Sequence, residues 1–144
     1  MDNDPTPEFD SRYGEPGAEP PSWEQVRRVL EEAELYWLTT VTAAAGPHVT
    51  PLVGVWHEDG FCFATGPGGQ KARNLRDNLE VAITTGVNTW QDGYDVVIEG
   101  TARRLLGTAE LQPVAEAYRA KYGEALSSGL KCSSSNSKTT YRFG

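Results

Sequence analysis

The residue types best suited to binding chemistry lie together in one glycine-rich segment, Thr65–Leu75. Thr65 ends a predicted strand, a loop that closes with Gly69 follows, and Gln70 and Lys71 begin a predicted helix. Glycines let backbone N–H groups approach an anion closely, and the free N–H groups at a helix start favour negative charge. Lys71 adds a positive charge, while Thr65 and Gln70 add side-chain donors. The pattern predicts a phosphate site.

The same segment has a second interpretation. Lys71, Arg73 and Arg76 form the densest basic cluster of the predicted core, and such a cluster can simply solvate the exposed face of a short helix. The G-x-x-x-x-G-K-[ST] spacing of a nucleotide-binding P-loop is absent. From these residues alone, the phosphate site and the solvated helix face both remain open.

A second candidate lies on the predicted strand from His48 to Trp56. If the sheet closes into a barrel, the backbone of this strand and the side chain of Thr50 line the same cleft as the Lys71 loop. Pro51 has no N–H for a ladder hydrogen bond, which predicts a sheet edge or a bulge at that position. Alternation places three valines on one face, Val49, Val53 and Val55. The alternative is that these valines are ordinary core residues and that Thr50 is exposed.

Other residues with reactive or aromatic side chains carry weaker patterns. His48 and His57 border turns with no acid or nucleophile paired to either, and Asp92 and Asp95 lie in a loop. No nucleophile elbow supports Ser-His-Asp catalysis, so neither a catalytic residue nor a metal site is predicted. Four aromatic residues are candidates for stacking a planar ring, with burial in the core as the alternative: Trp37, Trp56, Phe61 and Trp90.

The elements that must position these residues follow from periodicity and turn signals. Ser22 and Gln25 form a capping box before an apolar helical stripe. A short helix is predicted from about Gln70 to Asn78. A last helix is predicted with Gln112 as N-cap, Pro113 as first residue and Gly123 as its C′ residue. The predicted strands are Leu35–Thr42, His48–Trp56, Phe61–Thr65, Leu79–Thr85 and Tyr94–Leu106, the last broken or bulged at Gly100. This order predicts a mainly β (α+β) fold, a small antiparallel barrel flanked by short helices.

Composition divides the chain into three parts. An acidic, proline-rich lead at 1–21 is predicted to be disordered, a core domain spans 22–123, and a Ser-rich tail spans 124–144. The one β-capable run in that tail is Thr139–Phe143. The length of 144 residues suits a single domain.

Charge and cysteine usage limit the partners and the compartment. The formal net charge is −7, which argues against nucleic acid and anionic membranes because both need a basic face. No segment reaches the roughly 20 apolar residues of a membrane span, and the first residues have no apolar signal region. Cys62 and Cys132 form no spaced motif. The predicted compartment is the reducing cytoplasm.

Four segments of the core occur in an order typical of one family. They are Ala33–Val41, Gly46–Leu52, Phe63–Gly66 with Lys71–Leu75, and Val96–Ala102. Together they resemble the flavin-binding split-barrel proteins related to pyridoxamine phosphate oxidase. The most similar group is the actinobacterial one, some of whose members use the deazaflavin coenzyme F-420. The resemblance covers roughly residues 22 to 123.

The resemblance implies a homodimer of six-stranded split barrels with FMN or coenzyme F-420 in a cleft at the subunit interface. It implies that Lys71 contacts the cofactor phosphate, that Thr65 and Gln70 lie at the same phosphate, and that the strand Val49–Val53 runs along the ring system. The implied function is a flavin- or deazaflavin-dependent oxidoreductase acting on a small-molecule redox substrate. The candidate cofactor-binding residues are Val49, Thr50, Pro51, Val53, Thr65, Gly69, Gln70 and Lys71.

Two departures from the family pattern leave alternatives open. The late Arg-x-His motif of the true oxidases is absent, so their vitamin substrate is not implied. Five good strands are predicted where the family has six, so either Thr139–Phe143 supplies the sixth or the barrel is truncated. The alternatives to an enzyme are a non-enzymatic small-barrel binding module of the OB type and a split-barrel relic that holds no cofactor.

Overall fold

The computed structural model describes residues 4–12, 14–93, 95–123 and 139–143. Within those residues three helices and eight strands follow one another. They are α1 (Trp23–Glu32), β1 (Tyr36–Val41), β2 (Pro47–Leu52), β3 (Val55–His57), β4 (Gly60–Thr65), α2 (Gln70–Asp77), β5 (Glu80–Thr85), β6 (Val96–Thr101), β7 (Arg103–Arg104), α3 (Thr108–Tyr122) and β8 (Thr139–Phe143). The Ser-rich run of the predicted tail, Cys132 and the predicted strand start at Tyr94 lie outside the described residues.

The strands form two antiparallel sheets that close on each other. The first sheet has the order β2-β1-β5-β6 and the second has the order β3-β4-β8-β7. The chain passes from β2 into β3 and from β6 into β7, so both edges of the first sheet continue into the edges of the second. When β2 with β3, and β6 with β7, are each counted as one long strand, six strands make the barrel. The predicted mainly β (α+β) split barrel with short flanking helices is confirmed.

The single strand predicted from His48 to Trp56 is wrong, because the chain changes sheets at Gly54. A Cβ atom on Gly54 would lie 2.3 Å from the ring of Phe61, so the crossing requires a residue without a side chain. The crossing also interrupts the inward and outward alternation of side chains, so residues before and after Gly54 no longer follow one pattern. Val49 is 56% exposed whereas Val55 is 2% exposed, so the two valines do not share a face as predicted.

The long strand predicted to end at Leu106 also divides between the sheets. The division falls at Ala102, not at Gly100 as predicted. The Ala102 N–H donates to the Leu79 carbonyl at 2.7 Å, and the Leu105 N–H donates to the Thr140 carbonyl at 2.9 Å. These bonds tie the two sides of the division to different sheets, and the Ala102 side chain is buried between them.

Helix α1 begins as its sequence predicts. The Ser22 hydroxyl accepts from the Gln25 N–H at 3.2 Å, and the Gln25 side chain accepts from the Ser22 N–H at 2.8 Å. Its apolar stripe contributes Val26 and Leu30 to the barrel core. The largest fully buried side chains in the described residues are Tyr36, Phe61, Phe63, Leu30, Leu38, Leu75, Ile83, Thr40 and Cys62. Each fully buried apolar side chain stabilises the fold by about 1.5–3 kcal/mol.

Helix α3 begins at Thr108, so the predicted start at Pro113 is wrong. Glu110 fixes the earlier start, because its carboxylate accepts from the Leu106 N–H at 2.9 Å and from Arg103 at 2.6 Å. Pro113 therefore lies inside the helix, near its N-terminal end. The predicted end at Gly123 is confirmed, and its φ of +83° is a conformation that glycine adopts without strain.

Strand β8 fills the middle of the second sheet, between β4 and β7. Phe61 lies opposite Phe143 and Thr65 lies opposite Thr139 in the antiparallel register. The side chain of Tyr141 is also buried and stacks with Phe63 at 5.6 Å between ring centroids. Thr139–Phe143 is thus the sixth strand, and the alternative of a barrel without its last strand does not describe this fold.

Candidate functional site

The first turn of α2 meets the edge strand β2 through one side-chain contact. The ammonium nitrogen of Lys71 donates to the hydroxyl oxygen of Thr50 at 3.2 Å. Lys71 is half-buried, and this burial lowers the pKa of its ammonium group. The charged end of Lys71 therefore points at β2, and two of the residues that the sequence singled out are brought together.

The start of α2 leaves backbone donors available beside that ammonium group. Its N-cap, Gly69, supplies no side-chain hydrogen bond, so the first N–H groups of the helix lack a capping acceptor. The Gly69 N–H itself donates to the Gly66 carbonyl at 3.1 Å and holds the loop in a tight turn. A Cβ atom at Gly66 or Gly68 would meet nothing within 4 Å, so the outer side of the loop is open. Open N–H donors next to a lysine fit an anionic group.

Thr65 lies beneath this loop. Its side chain is 5% exposed, and its hydroxyl donates to the Gly66 carbonyl at 3.4 Å. The hydroxyl oxygen is also 3.5 Å from the position that a Cβ on Gly69 would take. The structure therefore brings Thr65, Gly69 and Lys71 to one place, as the sequence indicates.

Gln70 is oriented differently from the predicted phosphate donor. Its side-chain amide donates to Asn74 at 2.7 Å and accepts from Arg73 at 2.7 Å. Arg73 also donates to the Gly68 carbonyl at 2.8 Å. Gln70 and Arg73 thus brace the loop from the side of the helix.

Asn74 is a site-supporting residue that the sequence reasoning missed. It is 3% exposed, and its amide donates to the hydroxyl of Thr40, which is fully buried, at 2.9 Å. This bond joins α2 to β1 and sets the position from which Lys71 reaches β2. The sequence did contain a clue to this role. Asn74 is a polar residue that lies with Ala72 and Leu75 on the buried face of α2.

Strand β2 is an edge strand, as Pro51 predicted, because among the described residues it pairs only with β1. Its residues alternate between two faces. Thr50 lies on the face that meets Lys71, whereas Val49 and Pro51 lie on the outer face, where Pro51 is opposite Trp37. Of the predicted cofactor-binding residues on β2, Thr50 therefore lies on one face of this edge strand, and Val49 and Pro51 lie on the other.

Val53 lies beyond the end of β2 and packs towards α3. Its carbonyl accepts from the Tyr118 hydroxyl at 3.2 Å, and its side chain joins the smaller apolar cluster around Val55 and Val114. The structure does not bring the Val53 side chain to the Lys71–Thr50 contact.

The four aromatic candidates separate clearly. Phe61 is a core residue, and Trp56 packs edge-to-face against Trp23 at 6.0 Å between ring centroids. Trp90 is 96% exposed in the loop between β5 and β6. Trp37 alone of the four lies beside β2, with 48% of its surface exposed.

The two histidines are not equivalent. The Nδ1 atom of His48, on β2, is buried without a hydrogen-bond partner among the described residues. His57 lies at the start of the β3–β4 turn, and its carbonyl accepts from Arg142 at 2.7 Å. Within the described ranges, no group of three His, Cys, Asp or Glu side chains is arranged to hold a metal ion. The helices described there include none with the length and apolar character needed to cross a membrane.

Comparison with known families identifies the class of protein that this fold and loop define. The family model described as pyridoxamine 5′-phosphate oxidase matches residues 22–142. The chain belongs to this family. A comparison with curated protein sequences finds no match.

Solved structures share the fold at low sequence identity. The haem storage protein HutZ from Vibrio cholerae has a TM-score of 0.69 and 20% identity, over 83% of this chain and 87% of the other. An FAD-binding protein from Mycobacterium smegmatis has a TM-score of 0.60 and 21% identity, over 84% and 86%. An FAD-binding protein from Mesorhizobium loti has a TM-score of 0.59 and 20% identity, over 85% and 86%. These similarities establish the fold.

Proposed function

We propose that the chain is an oxidoreductase that binds FMN or coenzyme F-420 through the phosphate group of the cofactor. The observation that carries the proposal is the contact between Lys71 and Thr50 at the uncapped start of α2. It joins a cation, open backbone donors and a hydroxyl at the edge of β2, and each of these groups stabilises a phosphate. The FAD-binding proteins that share the fold support the binding of a flavin.

The roles of the residues follow from their positions. The Lys71 ammonium neutralises the phosphate, and Thr65 holds the loop from below so that its N–H groups stay open. The outer edge of β2, which no strand of the described residues covers, offers backbone groups to the polar rim of a ring system, with Val49 and Pro51 as its apolar side. When bound, the cofactor supplies the hydride chemistry for a small-molecule redox substrate, and the protein supplies binding and orientation. Among the described residues Cys62 is a buried cysteine without a disulfide, which suits a reducing compartment, and we place the protein in the cytoplasm.

A homodimer is part of the proposal, because the outer face of the first sheet is largely apolar and exposes several large side chains. One row of opposing residues crosses all four strands: Pro51, Trp37, Thr84 and Val97. Trp37 and Val97 are 48% and 58% exposed, and neighbouring Val49 is 56% exposed. A contiguous apolar face of this kind favours association. A second copy seated there would cover the outer side of β2 and enclose a cofactor at the interface.

A spectroscopic titration tests the cofactor assignment. Purified protein is titrated with FMN and, separately, with coenzyme F-420, and binding is followed by the visible absorbance retained after desalting. Lys71→Ala is expected to weaken binding of the favoured cofactor by roughly tenfold or more, because it removes a charge-assisted contact to phosphate. Arg76→Ala, which removes an equal charge from the exposed end of the same helix, is the matched control and is expected to bind normally. Equal affinity in wild type and Lys71→Ala contradicts the proposed site.

Haem binding is a second candidate, supported by one observation. His48 lies on β2 two positions before Thr50, and its unpartnered imidazole nitrogen is unusual for a buried polar atom. Histidine is a common protein ligand of haem iron. A shift of the haemin Soret band on adding wild-type protein, absent on adding His48→Gln, would favour this candidate over a flavin.

A further inference from the structure

A second cleft lies away from the Lys71–Thr50 contact and shares no residue with it. It has a volume of about 1120 Å³ and is open to solvent on one side. The start of α1, the turn after β3 and the edge of β6 form its inner walls, and the lead before α1 forms its outer wall. We propose that this cleft binds an extended, basic peptide segment of a partner protein, which adds as a strand to β6.

The first support is the free edge of β6. The four consecutive residues Val96–Glu99 line the cleft, and in the described part of the chain β6 pairs with β5 alone within its sheet. An unpaired strand presents N–H and C=O groups that can bind another extended chain. Four residues at about 3.3 Å each give an edge of roughly 13 Å, enough to pair with four residues of a partner.

The second support is a pair of tryptophans with unsatisfied donors. Trp23 and Trp56 meet edge-to-face on the inner wall, with ring centroids 6.0 Å apart and planes at 68°. Both indole Nε1 atoms are buried, and neither has a hydrogen-bond partner among the described residues. Buried indole N–H groups usually find an acceptor. Acceptors on a ligand reach these donors only when the rings turn towards the cleft; backbone carbonyls of an extended peptide are such acceptors, whereas a simple organic cation has none.

The third support is charge. Six carboxylates line the cleft: Glu8, Glu15, Glu19, Asp59, Asp95 and Glu99. Within the described ranges none of the six is in an ion pair, and no lysine or arginine lines the cleft. An acidic or neutral segment would gain nothing from such walls, whereas lysines on an extended peptide would meet them directly.

Labelled peptides test the proposal on the full chain. The probe is a seven-residue peptide that alternates lysine and valine, followed by fluorescence anisotropy in 50 mM salt. We expect saturable binding that weakens as salt rises, and no binding of the analogue with glutamate in place of lysine. An analogue N-methylated at alternate residues keeps its charge but loses backbone donors, so its affinity is expected to fall at least about tenfold.

Variants locate the binding site. Asp59→Asn with Glu99→Gln is expected to weaken binding by roughly tenfold. Asparagine at position 59 also tolerates its φ of +58°. Asp77→Asn with Glu32→Gln makes the same charge change outside the cleft and is expected to leave affinity unchanged, with circular dichroism confirming the fold of both variants. The proposal is overturned by no binding of the lysine peptide, by equal binding of the N-methylated peptide, or by equal effects of the two double variants.

Discussion

The ammonium nitrogen of Lys71 and the hydroxyl oxygen of Thr50 are 3.2 Å apart, although 21 positions separate the residues along the chain. This contact connects the start of a helix to an edge strand of the first sheet. A lysine that only solvated the helix would extend into water and would keep its ordinary pKa. Lys71 is instead half-buried, and this burial lowers its pKa. The contact therefore separates Lys71 from a merely solvated helix face, whereas Arg73 and Arg76 are exposed.

Thr50→Val is expected to weaken cofactor binding by about fivefold. The substitution keeps the shape of the side chain but removes the acceptor that orients Lys71, and one such hydrogen bond contributes about 0.5–1.5 kcal/mol. Isothermal titration with the cofactor that wild type retains measures the change. Thr101→Val, an equal substitution at the exposed end of β6, is the control. Identical affinity for wild type and Thr50→Val would show that the hydroxyl does not position Lys71.

Asn74→Leu is expected to destabilise the protein by about 2 kcal/mol. The change leaves the buried hydroxyl of Thr40 without its amide partner, and the cost of an unsatisfied buried polar group is about 1–3 kcal/mol. Urea unfolding measures the effect. The double variant Asn74→Leu with Thr40→Val removes both partners and should be less destabilised than the sum of the single changes. Strict additivity would contradict the bond.

A second lysine holds α3 against the barrel. The Lys121 ammonium donates to the Tyr36 hydroxyl at 2.8 Å and to the Gly54 carbonyl at 3.2 Å. It also lies over the rings of Tyr36 and Tyr122, at 4.8 and 5.1 Å from their centroids. Burial lowers the pKa of Lys121 to about 8. The ammonium is thus half-buried where the chain crosses between the sheets.

This lowered pKa predicts a rise in stability with pH. Between about pH 8 and the ordinary lysine value of 10.5, the unfolded chain binds more protons than the native one, so the free energy of unfolding increases. Above about pH 10 the opposite effect begins, because burial raises the pKa values of Tyr36 and Tyr118. Allowing for solvent screening, wild type should gain about 1 kcal/mol between pH 7.5 and 9.5.

Lys121→Met should lack that gain, since it has no group that titrates at this position. Urea unfolding of both proteins at the two pH values measures the difference. Arg119→Met removes a charge from the same helix, but arginine does not titrate in this pH range. This variant should therefore keep the rise in the free energy of unfolding. A parallel rise in wild type and Lys121→Met would assign the effect to another group.

Trp37→Lys is expected to weaken self-association at least about 100-fold. A lysine in the centre of the apolar row would be buried without a partner in the proposed dimer, at a cost of several kcal/mol. Sedimentation velocity over a range of concentrations measures the change. Leu106→Lys places the same charge on an exposed apolar residue outside this face, and it should leave the association of wild type unaltered. A wild-type protein that stays monomeric at high concentration would refute the dimer itself.

Local signals in the sequence predict the fold well where the neighbouring residues decide the conformation. The capping box at Ser22, the edge at Pro51 and the glycine that ends α3 are local features, and all three are found. A hairpin joins β3 to β4, and its two turn residues, Glu58 and Asp59, both have positive φ.

The wrong predictions concern features that distant residues decide. Nothing in the alternation of β2 and β3 reveals that Gly54 must avoid the ring of Phe61, so two strands were predicted as one. Pro113 was predicted to begin α3, but the Arg103 and Leu106 contacts of Glu110 start it earlier. At the site, residue types identified Lys71 and Thr65, whereas the buried role of Asn74 depends on Thr40, which is remote in sequence.

The position of β8 bears on how the barrel assembles. Cys62 and Arg142 lie opposite each other in the second sheet, yet they are 80 positions apart in the chain. Pairing over such a separation requires a long loop to close first, which is slow compared with forming a hairpin. Until β8 arrives, β4 carries an unprotected flank rich in aromatic residues. Ribosomal synthesis therefore leaves an interval in which a chaperone, or another unfinished copy, can occupy the place of β8.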